Sequence, residues 1–299
     1  MENFPVIDLS PYLEWKRIED EDEDGDVDLE EELRRLCTDV SRTLKETGAL
    51  LIRDPRCSAQ DNDRFLDMME NYFQQPPELK RLQERPLLHY QVGVTPEGVE
   101  VPRSLVDPEM QQKLKALPLE FQPSTPSGPD PKWRYMWRIG PRPSNTCFKE
   151  LNAEPVIPQG FPEWKDTMDS WGFKMISAIE VVAEMAAIGF GLPKNAFTSL
   201  MKNIEWLTAG ECIAGMHEVV VTKRTLEAIK LASEQSRSLW RVSSTLFAHI
   251  ASDAILKPLG HFANFPLASM YPSMRAGEFV EKELAVINLK GDKGYSSLS

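Results

Sequence analysis

Apolar side chains recur along this chain with two periods, and the period tells helix from strand. Over 28–47 they fall at Leu29, Leu33, Leu36, Val40 and Leu44, the spacing of one helical face, and Thr47-Gly48 marks the stop. A second helix is predicted over 59–74, ended by Pro76-Pro77. The longest covers about 163–190, with Trp164, Met168, Trp171, Met175, Val182 and Met185 on one stripe and Gly191-Leu192-Pro193 beyond it. An aromatic and methionine stripe at this period reads as core, not as a cofactor box. PVIDL (5–9) reads as a short strand followed by a turn at Ser10-Pro11, and ALLIRD (49–54) as a buried strand. From 204 the texture turns to strands: IEWLT (204–208), CIAGMHEVVVT (212–222) and WRVSSTLFAHI (240–250) are β-branched or aromatic runs. Between the last two, 224–238 reads as a short helix or loop, and FVEKELAVINL (279–289) fits a helix. Residues 86–160 are rich in proline with interspersed aromatics, which predicts an irregular loop packed over the body.

A chain of 299 residues with 41% hydrophobic content can bury a large core, in one domain or two. Its net charge of −12 excludes the basic surface that a nucleic-acid binder needs. Part of that charge is local: 19–32 is an acidic run read as a solvated loop entering a helix, without the ligand spacing of a calcium loop. The four cysteines, Cys37, Cys57, Cys147 and Cys212, are scattered, and no window holds 18 apolar residues. The start of the chain does not read as a secretory leader. Reduced thiols, no membrane span and a cytoplasmic location are the expectation.

The candidate chemistry lies in 211–247. A histidine, His217, opens an apolar run, and the next run carries Arg241-Val242-Ser243. A neutral imidazole can ligate a transition metal. An arginine fork beside a hydroxyl can hold a carboxylate by two parallel charge-assisted bonds.

At this point a family resemblance becomes specific. PVIDL, a helix running into TGALLI, and YFQQPPELK resemble the N-terminal module of plant-type 2-oxoglutarate/Fe(II)-dependent dioxygenases, the isopenicillin N synthase-like family. FPEWKDTMDSWGFKMISAIEVVAEMAAIGFGLP is similar to the long helix leading into that family's core. GMHEVVVTKRT resembles its distal-histidine strand, and RVSSTLF its R-x-S motif. The resemblance implies an α+β fold: an N-terminal non-haem dioxygenase module with a Pro-rich loop segment over 1–160, then a double-stranded β-helix (jelly-roll) core over 161–299. It also implies Fe(II) and 2-oxoglutarate as cofactors, a small organic molecule as substrate, His217 as the distal iron ligand, and Arg241 with Ser243 as the clamp on the cosubstrate carboxylate.

One departure outweighs these matches. The family's other two iron ligands come from an H-x-D or H-x-E triplet. Here His89, His217, His249 and His261 are followed two positions on by Gln91, Val219, Ala251 and Ala263. Residues 204–250 are also too few for about eight strands of five to six residues. The reading is a truncated core whose central strands are deleted near 202–204. His249 and Asp253, spaced i, i+4, would share a face only in a helix. The expectation is therefore a chain of oxygenase ancestry without catalysis. The alternative is a truncated isoform that acts as a protein-binding or regulatory variant, self-associating through exposed strand edges.

Overall fold

The structure is a computed structural model and describes residues 5–21, 29–198, 204–213, 221–247 and 250–290. In chain order its elements are β1 (Val6–Asp8), α1 (Ser10–Glu21), α2 (Glu31–Thr47), β2 (Leu51–Arg53), α3 (Ala59–Phe73), α4 (Pro77–Arg81), β3 (Gly93–Thr95), α5 (Arg103–Val106) and α6 (Pro108–Ala116). There follow β4 (Arg134–Met136), α7 (Trp164–Gly189), α8 (Ile204–Leu207), α9 (Lys223–Glu234), β5 (Ile255–Leu256), β6 (Met274–Arg275) and α10 (Ala276–Val286). The helices predicted over 28–47, 59–74 and 163–190 are thus present, and 224–238 and 279–289 each overlap one. Among the described residues no helix is long and apolar enough to cross a membrane.

The sheets are small. β1 pairs parallel with β2, β3 antiparallel with β4, and β5 antiparallel with β6. Among the described residues no sheet exceeds two strands. The architecture is mixed α and β with helices dominant.

The chain divides into two compact units. The first comprises 1–62, 170–217 and 245–276. Here α2 meets the C-terminal end of α7 at Gly189, where a Cβ would collide with the Cys37 carbonyl and come 2.5 Å from Ser41 Oγ. Leu9, Tyr12, Cys37, Val40, Met185 and Phe262 are fully buried. Inside this core the Glu184 carboxylate takes Lys16 Nζ at 2.8 Å and the Tyr12 hydroxyl at 3.3 Å, so a charge that could not be buried alone is paired. Ser10-Pro11 opens α1 instead of turning. The Asp8 carboxylate accepts the Ser10 amide at 2.9 Å, and proline suits a first helical turn.

The second unit comprises 63–169, 218–244 and 277–299. Its core is an aromatic cluster in which Tyr72, Tyr135, Phe161 and Trp164 meet edge to face at centroid distances of 4.6–5.8 Å. Gly93 lies against the Gln83 carbonyl at φ 77°, a position closed to any side chain. The segment expected to be irregular loop is therefore partly ordered. It contributes the β3–β4 pair, whose Tyr135 is central to the cluster, and α6, whose first turn is capped by the Asp107 carboxylate.

Two strand expectations fail, and the core of a third, 214–220, lies outside the described residues. IEWLT forms α8, because Ala209 and Gly210 adopt left-handed φ and the Gly210 amide returns to the Glu205 carbonyl at 2.8 Å, closing the helix. The described ends of 212–222 are irregular. Residues 237–247 carry no ladder. Their β-type composition encodes a preference that only a partner strand can satisfy. ALLIRD does form β2, yet Leu51 is 51% exposed and Ile52 38%, so the strand read as buried is uncovered.

Candidate functional site

His217, expected to ligate iron, lies outside the described residues, as does His249. Arg241 and Ser243 sit two residues apart on the ladderless segment 237–247, both exposed, while Val242 between them is half-buried. Alternate positions share a side only where the chain runs extended. Among the described residues Arg241 has no carboxylate partner, and the pair keeps the donor chemistry of a carboxylate clamp.

Arg241 inherits its position from Trp240. That indole stacks on Phe73 at 6.0 Å between centroids, and Lys80 Nζ lies 5.2 Å from it and 4.0 Å from the Trp133 ring. Lys80 is only 3% exposed and donates to the Phe73 carbonyl at 2.9 Å. Burial holds its pKa below the usual lysine range. Electron-rich ring faces and one carbonyl stand in for the water the ammonium has lost. No sequence signal singles out this lysine.

The remaining histidines do not assemble a metal site. His89 is buried in the left-handed position after the turn Pro86–Leu88, and His261 is exposed with its ring against Phe262. Asp253 lies in a turn before β5, so the i, i+4 route with His249 lacks its helix. Among the described residues no three of His, Cys, Asp and Glu converge. The sequence itself holds no H-x-D or H-x-E triplet.

Among the described residues, buried guanidinium atoms without an acceptor lie elsewhere. On β4, Arg134 gives Nη1 to Glu100 at 3.0 Å, but its Nε and Nη2 are buried with no acceptor. Thr95 Oγ1 and Arg138 Nε are in the same condition. Burial depresses the pKa of both arginines. No sequence signal singles them out within the proline-rich stretch.

The fold so described is similar to that of solved proteins described as 2OG-Fe(II) oxygenases. A Caulobacter crescentus protein described as a member of the 2OG-Fe(II) oxygenase family superposes with a TM-score of 0.65 at 17% identity, over 95% of this chain and 99% of that one. A full-length Neurospora crassa protein, in its complex with alpha-KG and thymine, superposes at 0.55 and 12% identity, over 94% and 96% of the two chains. The same Neurospora protein with alpha-KG alone gives 0.54. The sequence matches no family model and no curated protein.

Proposed function

We propose that this chain is a 2-oxoglutarate/Fe(II) oxygenase by descent, of the isopenicillin N synthase-like branch, and that it does not turn over. Its relatives by this reading oxidise small organic molecules. What carries the reading is the likeness to oxygenases along the whole chain, combined with the missing H-x-D or H-x-E triplet. An N-terminal module over 1–160 precedes a core over 161–299 from which the central jelly-roll strands are deleted near 202–204. Two-stranded sheets and the uncovered Leu51 and Ile52 support that deletion.

In such a chain Arg241 and Ser243 would still take the far carboxylate of 2-oxoglutarate, because that pairing needs no metal. His217 would be one iron ligand where the chemistry needs three. Loss of even an outer partner of a metal ligand costs about 10–100-fold in affinity or activity, so loss of two direct ligands leaves a site too weak to retain Fe(II). The test is succinate formation from 2-oxoglutarate with added Fe(II) and ascorbate. Background rates are expected; turnover that disappears in His217→Ala would overturn the proposal.

The exposed β2 favours a second reading, in which the chain acts through protein contacts, its open strand edge pairing with a second copy or a full-length oxygenase. A dimer in size-exclusion chromatography is expected on this reading, and a monodisperse monomer holding one iron per chain contradicts it.

A further inference from the structure

In the antiparallel pair β3–β4, Thr95 stands directly opposite Arg134. Opposed residues of such a pair bring their Cβ atoms to about 5 Å on a common face. A hydroxyl and a guanidinium are therefore neighbours there. Glu100 occupies Nη1 of the arginine, which leaves the Nε–Nη2 edge, and that edge is buried without a protein acceptor. Thr95 is 1% exposed, and its hydroxyl has no protein partner either. Four residues along the chain, Arg138 spends Nη1 on the Leu151 carbonyl at 3.3 Å while its Nε meets nothing.

Folded proteins rarely leave buried donors unmet, and a charged donor is the costliest to leave so. Single waters are the usual remedy, but the arrangement here is more selective. The Nε and Nη2 protons of a guanidinium point the same way and are spaced to meet the two oxygens of one carboxylate. The adjacent hydroxyl can donate to either oxygen. Charge narrows the choice further. Lys132 and Arg134 are balanced by Glu100 and Asp130, and Arg142 by Glu154, while Arg138 has no carboxylate partner among the described residues, so a single positive charge is in excess. One such charge balances a monocarboxylate; a phosphate dianion would be left uncompensated.

We propose that the Nε–Nη2 edge of Arg134, together with the Thr95 hydroxyl, binds the carboxylate of a small organic acid, at a site separate from Arg241. This holds whether or not the chain is an oxygenase by descent.

The test uses the ¹⁵N-labelled full chain titrated with propionate, benzoate and methyl phosphate, reading arginine Nε–H resonances. The carboxylates are expected to shift saturably the one resonance that is missing from Arg134→Lys, and methyl phosphate to shift it less. Thr95→Val keeps the side-chain shape and removes the hydroxyl, so affinity is expected to fall about fivefold. Arg241→Ala is expected to leave the response intact, which separates this site from the R-x-S motif. No response to either carboxylate, a stronger response to methyl phosphate, or a response lost in Arg241→Ala would each overturn the proposal. If Arg134→Lys does not fold, Thr95→Val decides alone: an affinity equal to that of the unaltered chain refutes the site.

Discussion

Lys80 shows how much a single side chain can carry when water is removed from it. Its ammonium has one carbonyl, that of Phe73, and two indole faces for company. Lys80→Met should fit the space but strand that carbonyl, at a cost of about 1–3 kcal/mol read from the urea midpoint. The four thiols form a second residue-scale test. Cys37 and Cys212 are buried, and burial pushes each from 9.0 up to about 11, while Cys57 and Cys147 are exposed. A chromogenic disulfide reagent should label two thiols rapidly and the other two only on unfolding. A thiol with a raised folded pKa gives its full stabilisation below the unfolded value near 9 and loses it as pH rises through about 11. The urea midpoint should therefore fall between those limits, and fall less in Cys37→Ala.

Among elements, the helices and the strands β1 and β2 were legible in the sequence, whereas the run at 240–247 did not form its expected strand, and range of interaction explains the contrast. The stripes around Val40, Met68 and Met185 specify helices locally, since the hydrogen bonds close within four residues. WRVSSTLF specifies only a willingness to pair, and pairing depends on chain elsewhere. The site divides along the same line. Arg241 and Ser243 were visible as a motif, whereas Arg134 and Thr95 became a unit only when β3 met β4. Helix contacts give a direct test: Gly189→Ala should force α2 from α7 and cost about 1–3 kcal/mol in a denaturation titration. The exposed α9 is a contrasting case. It buries nothing, so Thr222→Ala, which removes its capping box, should lower far-UV helicity while leaving the global urea midpoint nearly unchanged.

At the scale of the molecule, the three two-stranded sheets among the described residues are a meagre return on a sequence with this many β-type runs. A pair of strands is marginal on its own, and an open apolar strand invites another chain. Elution volume should depend on protein concentration, and Leu51→Lys combined with Ile52→Lys should abolish that dependence at little cost in stability, because both side chains already face outward. An unchanged profile in the double variant would locate any association elsewhere.

The stacking of Trp240 on Phe73 has a consequence for how the R-x-S motif is governed. With no ladder along it, the segment bearing Arg241 is anchored near its start by one ring laid on another. Phe73 belongs to a helix far upstream in the chain and has no chemistry of its own, yet it packs against the residue next to Arg241. Evolution could therefore retune Arg241 from a distance without altering a letter of the motif.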